Sequence, residues 1–591
     1  MRLEDLGLVG NCQFSALVSR AGDVVWCCLP RFDSDPMFSR LLDEPSAGGR
    51  FAVEPAGGGS GRQSYLENTN VLSTLFQTDT GTFRVLDFAP RFGQAEGIFH
   101  PKLLHRIIEP VEGNPVVRVR FEPRLGWSRE PAGLVRGAHH LRIEGFTSPV
   151  WLETDVGLDD ILQQRPFALT ERKHLLLSWG VPVEEPLGPL AERHLLQTIR
   201  YWQIWVKHSN IPPMWQQETI RSALALKLHC YEDTGAIVAA TTTSIPESPG
   251  GAGRTWDYRY CWLRDASYVL GALRLLGHFE EREHFVRYLL HIVGDTRDFR
   301  FSPLYRVDGT SDLEERIIPG WPGFQSEGPV RVGNGAALHV QNDVFGELLL
   351  ALSPLYLDDR FADERTPDAL ELLEQLTEHA CAVVGTPDAG IWEYRTEWKP
   401  QTFSSLMCWA GTNRMSHIAR RHAPAHRGRY EEAAARIRAL IVDEAWSEAL
   451  GSFAGTHGGQ ELDAALLQMA PLRMLSASDP KLVGTVDAIG SALSQDGWLY
   501  RYHLDDGFGR PAVAFVLCTF WMIEALAATA RLDEARALME RVRAAMSPLG
   551  LLAEDYEPAT RRMWGNFPQA YSHAGLIHGA FAASPRWLDL A

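Results

Sequence analysis

Cysteine is sparse and unpaired in this chain. The eight cysteines (Cys12, Cys27, Cys28, Cys230, Cys261, Cys381, Cys408 and Cys518) are scattered over 591 residues with no CxxC spacing. That excludes a zinc ribbon and a disulfide framework, and implies reduced, buried thiols. Positive charge is also in deficit: 57 Lys and Arg stand against 74 Asp and Glu, a net charge of −17 with a pI near 5.6. A nonspecific hold on phosphate backbones would work against that field, so nucleic acid is not an expected partner. Long apolar runs are missing, and the opening MRLEDLGLVGNCQF carries Glu4 and Asp5 but no apolar signal core, so a cytoplasmic protein without a membrane partner is expected. With 45% hydrophobic and 22% charged residues, neither disorder nor a fibrous repeat fits. Aromatics are what the chain has in quantity, with 18 Trp, 15 Tyr and 26 Phe. Most such rings fill cores, but they also stack on the CH faces of sugars, which raises the prospect of a carbohydrate ligand.

Two textures divide the sequence. From residue 10 to about 185, short apolar stretches such as NVLSTLFQT, TFRVLDFAP and PVVRVRFEP alternate with Gly, Pro, Asn and Asp turns and read as strands. Their close spacing leaves no room for helical crossovers, which predicts an antiparallel β-sandwich over residues 1–184. AGGGSGR, from Ala56, lacks the Lys-Ser/Thr of a phosphate loop and reads as a turn. A Pro-rich hinge and an amphipathic helix, EEPLGPLAERHLLQTIRYWQIWVKH, form a linker over 185–215. Over 216–591, apolar residues recur at helical spacing in about twelve segments, in pairs joined alternately by short and long loops. Six such pairs close into a double-layered α/α toroid with the long loops (235–262, 294–340, 386–405, 496–513 and 547–570) on one rim, where a site is expected.

Three stretches on those loops concentrate chemistry. GRTWDYRYCWLRDASY places Arg264 and Asp265 at a helix start; they read either as a cap and ion pair or as hydrogen-bonding groups for sugar hydroxyls, with Trp256 and Trp262 as stacking walls. In PDAGIWEYRTEWKPQTFSS, Glu393 follows Trp392. A carboxyl desolvated beside an indole has a raised pKa, as a general acid needs, and Glu397 is a second candidate. LGLLAEDYEPATRRMWGNFPQAYSH brings Glu554, Asp555 and Glu557 ahead of the last helix, one of them a candidate base for activating water. Two carboxyls separated by room for a water are the apparatus of inverting glycoside hydrolysis. The histidines (His278, His284 and His291; His417, His422 and His426) show no metal-ligand spacing, so no metal and no cofactor are expected. His573 reads as a packing side chain.

RTWDYRYCWLRDA, PVRVGNGAALHVQND, GIWEYR and GNFPQAYSHAGLI resemble the catalytic (α/α)6 barrel of glycoside hydrolase family 15, the glucoamylase, glucodextranase and bacterial trehalase group. GDVVWCCLPRFDSDPMFSRLLD resembles the β-sandwich domain of its bacterial members. The resemblance implies Glu393 as general acid, Glu554 as general base, Arg264 and Asp265 on the terminal glucose, and Tyr258 on the attacking water. It further implies Arg501 as a substrate-binding arginine and Trp321 as a rim tryptophan. Tyr394 stands where fungal glucoamylases carry a second Glu, which points away from long maltooligosaccharides, and Asp555 stands where they carry Gln, which implies that the base is held differently. The sequence stops shortly after SHAGLI, and small soluble substrates are expected over granular starch. The expected activity is therefore exo-acting, inverting hydrolysis of short α-glucosides with release of β-glucose. An α,α-trehalase is the alternative, with loops 305–330 and 394–405 as discriminators, and a non-catalytic sugar-binding protein is a more distant one. A homo-oligomer is compatible with this reading.

Overall fold

The computed structural model describes all residues except 44–47, 251–252, 296–298 and 591. Two large sheets occupy the N-terminal third. One runs in the order Leu6–Gly10, Ser15–Ser19, Asp23–Cys28, Arg50–Pro55, Val116–Glu122 and Phe167–Ala168. The other spans Gly133–Arg136, His140–Glu144, Val150–Thr154, Lys173–Trp179, Leu103–Gly113, Gly81–Phe88, Leu72–Thr78 and Arg62–Tyr65. The pairings are antiparallel, as the short connections require. Val9, Leu17, Trp26, Phe51 and Val119 of the first sheet share one core with Phe83, Leu104 and Leu177 of the second. Val116–Glu122 shows why: its residues alternate between part-exposed and buried, so one face of the strand enters the core.

A long helix, α1 (Leu187–Lys207), turns its Leu190, Leu195, Trp202 and Val206 face inward. The helical region follows: α2 (Gln216–Lys227), α3 (Leu263–Leu276), α4 (Glu280–Asp295), α5 (Asp343–Leu352), α6 (Pro367–Val383), α7 (Thr402–His422), α8 (Arg427–Ala445), α9 (Met469–Leu472), α10 (Pro480–Ala492), α11 (Val516–Ala528), α12 (Leu532–Ala545) and α13 (Ala570–Ala583). Each lies in a stretch whose helical spacing marks it. The weakest is α9: ELDAALLQMAPLRML reads as a full helix, but the chain forms a 3-10 turn, Ala464–Gln468, and then only one α-turn, in which Pro471 lacks the N–H a longer helix would need.

The packing order is what positions the site. α3 packs on α5, α5 on α7, α7 on the Ala464–Gln468 turn that leads into α9, α9 on α11, α11 on α13, and α13 returns to α3. The remaining helices lie against this ring: α2 on α13 and α3, α4 on α3, α6 on α5 and α7, α8 on α7, α10 on α11, and α12 on α11 and α13. The composition follows from position, since α11 and α13 are apolar nearly all round whereas α12 is strongly one-sided.

The strand-rich and helical regions are joined through buried polar groups. Arg259 pairs with Asp257 at 2.7 Å, both fully buried, and donates to the Ser34 carbonyl of the strand-rich region. The Trp26 indole donates to the Thr241 carbonyl. No helix among the described residues is long and apolar enough to cross a membrane. The eight cysteines are all free thiols, seven of them buried.

Candidate active site

Loops at one end of the helical ring bring together side chains far apart in sequence. Cys261–Trp262 pairs with Leu304–Tyr305, and α3 starts at the next residue, so Arg264 and Asp265 fall in its first turn. Glu393 closes a tight turn: its own N–H donates to the Gly390 carbonyl, the Tyr394 N–H to Ala389, and the backbone has positive φ at both Gly390 (64°) and Glu393 (59°). A left-handed glutamate is uncommon and marks a constrained position. Glu554 immediately precedes a three-stranded sheet formed by Ala514–Phe515, Asp555–Glu557 and Arg562–Trp564. Gly565 is required opposite it, because a Cβ there would stand 2.6 Å from Glu554 Cβ and Oε2.

Tyr258, Trp262, Arg264, Asp265, Trp392, Glu393 and Arg501 line one cavity, completed by Ile391, Phe515, Gln569 and Tyr571. Its volume is about 50 Å³, well below the roughly 300–1,000 Å³ of a drug-sized ligand pocket. Glu393 Oε1 accepts from Trp262 Nε1 (2.6 Å), Gln341 Nε2 (3.3 Å) and Arg264 Nη2 (3.4 Å). Arg264 also donates to Gln341 Oε1 at 2.7 Å and to Asp343 at 3.3 Å, so that guanidinium is a hub that fixes the glutamate. Burial pushes Asp265 up to about 7, against the pull of Arg264.

Glu554 is fully buried. The Asn566 N–H donates to its Oε2 at 3.2 Å, while Oε1 has no partner among the described residues. Burial first, and then the charge of Glu247, hold its carboxyl well above the usual range, with Arg501 pulling the other way; Asp555 is raised beside it by burial and by Glu554 itself. Tyr258 feels both glutamates: after burial, the charges of Glu554 and then of Glu247 and Glu393 raise its pKa, and it in turn lowers that of Glu554. Its ring stands edge-on to Trp262, with centroids 5.1 Å apart.

Two sequence expectations meet a different arrangement. Trp392 lines the cavity, but its indole N–H is held by Asp463 (2.9 and 3.0 Å), and the indole donating to Glu393 is that of Trp262. Trp321 lies outside the cavity lining. Its N–H donates to the Trp127 carbonyl at 3.1 Å, its ring meets Trp127 edge-on, and Arg129 sits over it, so the turn Gly126–Ser128 of the strand-rich region covers it. His573 packs between Ser222 Oγ (2.9 Å) and the Leu552 N–H. Glu232, Glu280 and His284 can bring one ligand atom each within 4.8 Å of one another, but Glu232 is already bonded to Arg91 and Lys227, which meet its charge.

Glu247 is a buried carboxylate beside the site that sequence reading missed. Buried in TTTSIPESPG, it accepts from Trp256 Nε1 at 2.9 Å and pairs with Arg254 at 3.5 Å and with Arg501. Trp256 is in turn flanked by the guanidinium groups of Arg331 and Arg395, 4.9 and 4.2 Å from its ring centroid. A lone acid among hydroxyls and prolines carries no periodic signal. Glu247→Gln would remove the carboxylate shared by Arg254 and Arg501, leaving Arg254 its ion pair with Asp506; kcat/KM is expected to fall about tenfold or more, about 1.4 kcal/mol, chiefly through KM. Steady-state kinetics against the parent would check this, and an unchanged KM would contradict the role given to Glu247.

Residues 214–581 match the family model described as Glycosyl hydrolases family 15, and residues 1–164 match one described as Trehalase-like, N-terminal. A trehalase of Mycolicibacterium smegmatis is 33% identical over 98% of this chain and 90% of its own length. A trehalase of Thermoplasma volcanium is 31% identical over 97% and 92%. Among solved structures, a bacterial glucoamylase complexed with acarbose superposes with a TM-score of 0.70, covering 98% of this chain and 94% of that one at 14% identity, a likeness of fold.

Proposed function

This chain belongs to glycosyl hydrolase family 15 and is a glycoside hydrolase, and from that premise we propose that it hydrolyses α,α-trehalose with inversion at the attacked carbon. The observation that carries the mechanism is a pair of differently held glutamates whose charges both bear on Tyr258: Glu393 is pinned by donors in the cavity wall, while Glu554 is buried with one oxygen unpartnered among the described residues. Glu393 donates its proton to the glycosidic oxygen as the C1–O bond breaks. Glu554 takes a proton from the water attacking C1 from the opposite face, with Tyr258 orienting that water. Arg264, Asp265 and Arg501 hold hydroxyls of the glucosyl unit, and Trp262 and Trp392 wall it in. One glucose leaves as the β anomer, and the other keeps its α configuration.

Trehalose is preferred to the short maltooligosaccharides of a glucoamylase-like reading because the relatives matched over nearly the whole chain are trehalases. We further read the two sheets as a β-sandwich domain over 1–184, α1 and its flanks as a linker over 185–215, and the closed packing order as an (α/α)6 barrel over 216–591. A cytoplasmic setting belongs to the same reading, supported by eight free thiols. A panel of trehalose, maltose, isomaltose and dextran tests the substrate: kcat/KM for trehalose is expected to exceed the others by about 10²-fold or more. Maltose turned over as well as trehalose would restore the glucoamylase-like reading.

A further inference from the structure

Beneath the candidate active site lies a second, larger cavity of about 620 Å³. Arg264, Ile391 and Tyr571 line both, so a single layer of side chains separates them. The cavity follows the ring axis, since α3, α5, α7, α11 and α13 all contribute to its wall. Along α3, ten residues separate Arg264 at its roof from Arg274 at its mouth, about 15 Å at the helical rise.

The two ends differ in chemistry. The upper part presents Tyr268, Tyr571, Glu347, Glu524 and Gln468, the aromatic and hydrogen-bonding groups that suit a sugar. Gln468 Nε2 is buried without a partner, and Tyr268 donates to Glu524 at 2.6 Å. The mouth presents Arg274, Arg282 and Arg414. Arg282 is 3% exposed; among the described residues its hydrogen bonds go only to the carbonyls of Ala351 (3.4 Å) and Leu270 (3.2 Å), which leaves Nε without a partner there. Burial and the charge of Arg274 push its pKa down to about 10. Arg414 is lowered too, by burial and then by Arg274 and Arg473, with no acid among the described residues offsetting them. The acids at the lip pair with other arginines, Asp358 with Arg360 and Asp359 with Arg365, and the charge of Asp358 offsets only part of what burial and Arg274 do to Arg282. A favourable helix dipole accounts for Arg274, in the last turn of α3. It does not account for Arg414, mid-way along α7, or for Arg282, in the first turn of α4, where the dipole opposes it. Mutually repelling arginines around an open space are the arrangement that an oxyanion relieves.

We propose that this axial cavity binds a phosphorylated sugar, with the phosphate on Arg274, Arg282 and Arg414 and the ring against Tyr268, Glu347, Glu524 and Gln468. Guanidinium groups meet phosphate oxygens in a bidentate way, and the unpartnered donors of Arg282 and Gln468 require acceptors. Because Arg264 and Tyr571 form the shared partition, an occupant bears on the side chains that fix Glu393 and hold the glucosyl unit, which makes the site regulatory.

Calorimetric titration of the full chain with glucose 6-phosphate, inorganic phosphate and glucose tests this. Titrating a Glu393→Gln protein keeps the result independent of whether trehalose is the substrate. Glucose 6-phosphate is expected to bind at one site per chain, at least about tenfold more tightly than either fragment. Arg282→Gln and Arg414→Gln in an otherwise unchanged chain are expected to weaken it about tenfold or more, while turnover without the ligand stays within about twofold of the parent. Arg414 is partly exposed, so its variant keeps the test open if the Arg282 variant folds poorly. Absence of binding, binding indifferent to both arginines, or inorganic phosphate binding as tightly as the sugar phosphate would each overturn the proposal.

Discussion

Glu393→Gln is expected to fold like the parent and to lose trehalose turnover by about 10²- to 10⁴-fold, the range assigned to a positioned general acid. The fold should survive because the amide oxygen can still accept from Trp262, Gln341 and Arg264, and because glutamine meets the same left-handed backbone requirement as glutamate. What the amide lacks is a proton to give to the glycosidic oxygen. A substrate whose leaving group needs no proton bypasses the loss, so α-glucosyl fluoride should be turned over by the variant far better, relative to the parent, than trehalose is. Calorimetric melting and kinetics with both substrates check the prediction. Equal losses on the two substrates would place Glu393 in binding and not in proton donation.

Glu554→Gln is expected to be inactive on both substrates, because the fluoride still needs an activated water. A loss of about 10²- to 10⁴-fold is again the scale. The working form of Glu554 is the carboxylate, and burial and Glu247 hold its pKa up. The kcat/KM of the parent should therefore fall on the acid side through an apparent pKa well above the 4.5 of an ordinary glutamate, a limb that residual turnover in the variant lacks. Stability should move the other way. A carboxyl whose pKa is raised in the folded state favours folding below its unfolded pKa, and that contribution is lost as pH rises through the folded value. Glutamine, which never ionises, should therefore melt no lower than the parent at neutral pH and higher at alkaline pH. A variant that retains activity, or a parent profile with its acid limb near 4.5, would remove Glu554 as the base.

Much of the architecture is legible in residue spacing. Helical periodicity locates α3, α7 and α13, and period-two alternation locates strands such as Val116–Glu122, because each element buries one face. The site is legible where chemistry sits in compact local motifs, as with Arg264 and Asp265 at a helix start or Glu393 in a glycine-entered turn. It is not legible where a role arises from a long-range contact. Glu247 gains its place from Arg501, 254 residues away, and Gln341 from Arg264, 77 residues away. Trp321 shows the reverse. Its residue type suits a rim, but Trp127, 194 residues earlier, claims its N–H and covers its ring. The axial cavity was equally hidden, since its arginines lie on three helices with nothing in common but the direction they face.

The anomers formed in the first moments of trehalose cleavage test the roles proposed for Glu393 and Glu554 most directly. Proton NMR, read before mutarotation, is predicted to show α- and β-glucose in equal amounts, one ring inverted by water and the other released unchanged. Formation of α-glucose alone would mean that water and leaving group share a face, and would contradict the account.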